Sequence, residues 1–135
     1  MSNRRRGGLK PLYRDGFLAS PAWHARRARW FRDHARTHTP LECAGCGHRA
    51  TPDRLELHHL SYAGVTVQAG EFKAFEKHTD LLPLHPYCHE ALHRMIDRDE
   101  VLARHRTRRD ATHQALQRLR PRLHAAIAPA EGAAP

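Results

Sequence analysis

The stretch "LELHHLSY", Leu55–Tyr62, decides how this chain is read. Its alternating apolar character predicts a strand over residues 55–60. Successive side chains of a strand point to opposite faces, so His58 and His59 face opposite ways. A strand that buries one face seldom needs an imidazole on both, and the pair therefore asks for a chemical role.

Working outward, "DLLPL" at 80–84 predicts a short second strand, with Pro83 suited to an edge. Residues 61–79 lack a clean period and contain Gly64 and Gly70, which predicts a long loop with at most a helical turn at 71–77. From Pro86 a helix runs through "YCHEALHRMI". A further helix is expected over 99–120, stopped or kinked by Pro121, with Leu116, Leu119 and Leu123 as its apolar stripe. Upstream, Ser20 and Pro21 form a helix start, as N-cap and N1 residue. That helix is expected to reach about His38, since Pro40 disfavours its continuation. Trp23, Trp30, Phe31 and His34 share one of its faces and read as core, while Arg26, Arg29 and Arg36 lie away from that face. The expected organisation is a flexible basic tail (1–18), one domain (19–123, motif core 43–96) and a frayed Ala/Pro-rich tail (124–135).

With 135 residues and only 7% aromatic content, one modest core is expected, and small cores often need a staple such as a metal. No run approaches the roughly 20 apolar residues of a membrane span. "MSNRRRGGLK" has no secretory h-region, so an intracellular, cytoplasmic protein with no membrane partner is expected. Three cysteines cannot all pair within one chain, and metal ligation suits them better. The net charge of +9 is unevenly spread. Residues 1–36 carry ten basic and two acidic residues, 37–97 five and eight, and 98–135 eight and four. Basic arms around an acidic, metal-holding middle suggest a phosphate-rich partner. Arg4, Arg5, Arg6, Arg26, Arg29, Arg106, Arg108 and Arg109 are the expected nucleic-acid contacts.

Two constellations carry chemistry. In the first, Cys43-x-x-Cys46 places two thiolates at adjacent corners of a tetrahedron, and His85-x-x-Cys88 supplies the others. Four protein ligands leave no open position, so this reads as a structural zinc knuckle tying the 43–46 turn to the start of the helix at Pro86. The second comprises His58, His59, Asp80, His89 and His93. His89 and His93, four apart on a helix, share a face. If His58 reaches the same point, three imidazoles hold one metal and leave positions open. His59 then remains unmetallated beside it, able to take a proton from water.

Assembled, "CAGC", "LELHHLSY" and "DLLPLHPYCHEALH" resemble the motifs of HNH endonucleases, which have a ββα-metal (His-Me finger) core. The resemblance covers residues 43–93. It implies an α+β fold in which a ββα-metal core with a zinc knuckle is flanked by an N-terminal helix and C-terminal helices. It implies His59 as general base, His58 as a metal ligand, His89 as a metal ligand or phosphate contact, and His93 as the additional ligand of some members, including colicin-type nucleases. Asp80 replaces the middle Asn, which in the family ties the loop and helps orient the base. His85 stands where the family usually has Cys. The implied reaction is metal-dependent hydrolysis of DNA phosphodiesters to 5′-phosphate and 3′-hydroxyl ends. Mg²⁺ or Mn²⁺ is expected to support turnover, and three imidazoles also accommodate Ni²⁺ or Zn²⁺. Two rival readings are a non-catalytic zinc-knuckle DNA-binding module and a metal-storage or metal-sensing protein. Neither gives the four clustered histidines and the basic arms a joint purpose. Substrate form, sequence specificity, biological setting and oligomeric state have no signature in the sequence.

Overall fold

The short strand at the histidine pair forms as expected: β1 (Glu56–His59) pairs antiparallel with β4 (Leu81–Leu84), with His58 opposite Leu82 and His59 opposite Leu81. A computed structural model describes residues 11–129 of the chain. The architecture is α+β. Five helices, α1 (Pro11–Leu18), α2 (Pro21–Arg36), α3 (Pro86–Arg98), α4 (Glu100–Arg104) and α5 (Arg108–Ala126), surround two small antiparallel sheets. Among the described residues no helix is long and apolar enough to cross a membrane.

Ser20 caps α2 by accepting from the Trp23 N–H at 3.3 Å, with Pro21 inside the first turn. Trp23, Trp30 and Phe31 are buried, as their spacing predicts. Arg26 is buried as well, contrary to its expected outward position. Its Nε and Nη2 donate to the Glu76 carbonyl at 3.1 and 2.8 Å. Pro83 sits in β4 and its carbonyl accepts from the Ala44 N–H at 2.8 Å, which hangs the cysteine turn on the sheet.

Four boundaries depart from expectation. Residues 11–18 of the supposed tail form α1, whose Phe17 is fully buried against Trp23 and Phe72; residues 1–10 lie outside the described residues. The expected loop at 61–79 contains a hairpin, β2 (Val65–Gln68) and β3 (Glu71–Ala74), rather than a helical turn. Its two turn residues, Ala69 and Gly70, both have positive φ, 52° and 78°, matching the twist that tight hairpins prefer. The helix expected over 99–120 is two, α4 and α5, the second capped by the Thr107 hydroxyl accepting from the Asp110 N–H. Pro121 does not end α5, which continues to Ala126. The turns around it are clamped to the knuckle: Arg120 donates to the Ala44 carbonyl at 2.7 Å, His124 Nδ1 bonds the Cys46 carbonyl at 2.8 Å, and Leu123 is buried. These contacts offset the hydrogen bond that Pro121 removes.

Candidate metal and catalytic centre

The knuckle forms around all four expected residues. Cys43, Cys46, His85 and Cys88 place their ligand atoms within 4.8 Å of one another, a set suited to a structural metal such as zinc. Backbone N–H groups aim at the sulfurs: Gly45 and His85 at Cys43 Sγ, both at 3.3 Å. A hydrogen bond from Cys88 holds the Cys43 thiol down to about 4, while the same contact pushes Cys88 up. Three buried sulfurs that crowd and polarise one another in this way are relieved by a cation at their centre. Gly45 is required here, because a Cβ would stand 2.8 Å from Cys88 Cβ.

The histidine pair answers its own question through burial on both sides of β1. His58 and His59 are each 1% exposed. His58 faces α3 and α5, and His59 faces α1 and α2, and both line one cavity of about 310 Å³ with His89, His93, Tyr62, Arg14 and Arg108.

On the first face, His58 Nδ1 lies 3.2 Å from His89 Nε2, which lies 3.0 Å from His93 Nε2. The tautomers follow from the outer partners. Thr112 spends its hydroxyl hydrogen on the Arg108 carbonyl at 2.8 Å, so it can only accept from His58 Nε2, at 2.9 Å. Glu56, 2.9 Å from His89 Nδ1, likewise accepts. With both rings neutral, His58 Nδ1 and His89 Nε2 present lone pairs, and two lone pairs at 3.2 Å make no hydrogen bond. Tetrahedral ligands of a metal at about 2.0–2.1 Å stand about 3.3 Å apart. Imidazoles whose far nitrogens are held by a hydroxyl and a carboxylate are the usual setting of metal-binding histidines. The donor set fits a metal ion. Burial lowers His58 well below the ordinary range and pushes His93 down to about 3, so both rings are neutral at pH 7.

On the second face, His59 is boxed by rings. Tyr62 stacks at 4.1 Å, Trp23 sits at 4.6 Å and Phe17 meets it edge-on at 5.8 Å. Its Nε2 lies 2.7 Å from Glu76 Oε2, with both side chains buried. A carboxylate accepts from Nε2–H, which leaves Nδ1 as the basic nitrogen. Burial lowers the His59 pKa and the Glu76 contact opposes the shift.

No protein-family model, no curated protein and no solved structure matches this chain.

Asp80 does not orient His59. Its carboxylate pairs with Arg109, and its carbonyl accepts from the Leu60 N–H at 2.7 Å, so it ties the loop end to β1 and α5. The orienting carboxylate is Glu76, which the sequence reading missed because it lies seventeen residues from His59 in a segment read as loop. Gly64 delivers it: a Cβ there would meet the Glu76 backbone at 2.6 Å, and the Gly64 carbonyl accepts from the Phe75 N–H at 2.8 Å. Of the expected nucleic-acid contacts, Arg29 and Arg106 are exposed and Arg109 is half-buried in its pair with Asp80. Arg26 and Arg108 are buried at 4% exposure, committed to backbone carbonyls rather than to an outer surface. Arg4, Arg5 and Arg6 lie outside the described residues.

Proposed function

We propose that this protein is a metal-dependent endonuclease of the HNH type, hydrolysing DNA phosphodiester bonds. The observation that carries the reading is the convergence of two imidazole lone pairs, from His58 and His89, in the cavity that the Glu76-held His59 also lines. The order β1, β4, α3, with the knuckle gripping the start of α3, suits a ββα-metal core.

His58, His89 and His93 would hold the divalent metal, which when bound supplies Lewis-acid stabilisation of charge on phosphorus and on the departing 3′ oxygen. His59 acts at Nδ1, taking a proton from the water as its oxygen attacks phosphorus in line with the departing 3′ oxygen. Glu76 keeps the proton on Nε2 and stabilises the imidazolium that forms. Breaking the P–O3′ bond leaves a 5′-phosphate and, after protonation, a 3′-hydroxyl. The hydrophobic box of Phe17, Trp23 and Tyr62 fixes the ring's orientation and keeps it neutral before reaction. Mg²⁺ or Mn²⁺ is the expected activator, with phosphate oxygens completing its shell. The Cys43–Cys46–His85–Cys88 zinc would be structural.

Nicking of supercoiled plasmid in Mg²⁺, Mn²⁺ or Ni²⁺ that is abolished by EDTA and restored by metal is the expected result. DNA binding with one tight zinc and no nicking under any metal would favour the non-catalytic zinc-knuckle module.

A further inference from the structure

Arg108 enters the centre from α5 and Arg14 from α1, both outside the segment that carries the motifs. Arg108 is 4% exposed. Its Nε donates to the His59 carbonyl at 2.6 Å and its guanidinium lies 5.2 Å from the Tyr62 ring centroid. Those contacts account for one edge of the fork. Nη1 is buried and has no hydrogen-bond partner among the described residues.

A buried cation with an orphaned donor costs free energy unless an anion completes it. None of the described carboxylates forms an ion pair with Arg108. The second guanidinium bordering the cavity, Arg14, repels it, and burial together with that repulsion lowers its pKa. Among the described residues Arg14 forms an ion pair only with Asp15, at 3.7 Å, and Asp97, the one described carboxylate lining the cavity, is exposed. Two arginines thus face a cavity whose remaining polar lining is imidazole, a phenol and the exposed Asp97. If Arg108 served only to tether β1 to α5, its Nε bond would suffice. The free edge of a planar fork is the shape that pairs with a phosphate oxyanion.

We propose that Arg108 and Arg14 bind the non-bridging oxygens of the scissile phosphate, forming the anion-holding half of the cavity opposite in role to the histidine set. The proposal rests on the phosphodiesterase reading for its substrate and on the orphaned Arg108 edge for its site. It makes α1, read from sequence as tail, part of the centre.

Inorganic phosphate, titrated calorimetrically into the metal-loaded protein, tests the site without requiring turnover. Single-turnover plasmid nicking tests its part in the reaction. Wild type should bind phosphate, and Arg108→Gln and Arg14→Gln should each weaken it on the order of 10-fold or more, as loss of a charge-assisted hydrogen bond does. Both should lower kcat more than they raise KM, because the phosphate oxygens gain charge in the transition state. Zinc content and the thermal transition check folding. Should Arg108→Gln not fold, Arg14→Gln, on a more exposed side chain, gives the same readout. Unweakened phosphate binding in the folded variants, no phosphate binding by wild type, or a change in KM alone would overturn the proposal. Phosphate binding that depends on both arginines in a protein that cleaves nothing would keep the anion site and remove the nuclease reading.

Discussion

Glu76→Gln isolates what the buried carboxylate does for His59. Gln keeps the size of the side chain and can still accept from Nε2–H, so the tautomer survives; the charge is lost, and an NH2 takes the place of Oε1, which is buried with no hydrogen-bond partner among the described residues. Across the 2.7 Å contact the charge centres are about 4 Å apart, and at an effective dielectric of about 20 their attraction is about 4 kcal/mol. The imidazolium is partly formed in the transition state, so about half of that acts on the rate, or ~2 kcal/mol, roughly 30-fold. The pH profile provides a second readout. Burial lowers the His59 pKa and Glu76 raises it, so removing the charge should move the acid limb of log kcat to lower pH while the plateau falls. Asp80→Asn is the comparison, because its carboxylate binds Arg109 and the acid limb should stay in place. Single-turnover plasmid nicking across pH 4.5 to 8 reads both. A Glu76→Gln rate within about 3-fold of wild type with an unmoved limb would mean that the Glu76 charge does not act on His59. So would a limb shift in Asp80→Asn alone, which would return the orienting role to Asp80.

Zinc removal should abolish the cooperative thermal transition: structural zinc contributes about 10–16 kcal/mol against a typical total stability of about 5–15 kcal/mol. A full far-UV signal and an unchanged transition after complete removal would contradict a structural role for the knuckle. Acid should destabilise the fold early. His58 and His93 are depressed in the folded state, His93 to about 3, so below about pH 6.5 the unfolded chain binds more protons. With the histidine site metal-free, stability is full above pH 6.5 and falls with pH by about 1.4 kcal/mol per unit for each ring. Urea midpoints that stay flat from pH 6.5 to 4.5 would contradict that. Gly64→Ala should lower stability by about 1–3 kcal/mol, the usual cost of forced overpacking, and reduce nicking, since its Cβ would displace the Glu76 backbone. Unchanged melting and nicking would mean that Gly64 does not position Glu76.

The sequence alone located the parts that local spacing encodes. Cys43-x-x-Cys46, His85-x-x-Cys88 and the His89/His93 pair each sit on one turn or one helix face, and the structure brings each set together. Ser20 and Pro21 marked a helix start for a purely local reason. What the sequence hid depends on contacts distant in the chain. Phe17 makes α1 part of the fold by packing on Trp23 and Phe72. Arg26 and Arg108 look like solvated arginines until the Glu76 and His59 carbonyls are placed beside them. Pro121 reads as a helix end because the knuckle contacts of Arg120, Leu123 and His124 have no sequence signature. The hairpin was masked by Ala69, a residue seldom found at positive φ, and with the hairpin went Glu76.

His59→Ala removes the proposed general base of the metal-dependent phosphodiesterase centre. Wild type and variant, matched for zinc content and thermal transition, are compared in Mg²⁺ or Mn²⁺ for nicking and for DNA affinity. Affinity should be unchanged and the rate lower by about 10²–10⁴, the usual share of a general base. Nicking by the variant within a few-fold of wild type, at equal metal content, would contradict that role.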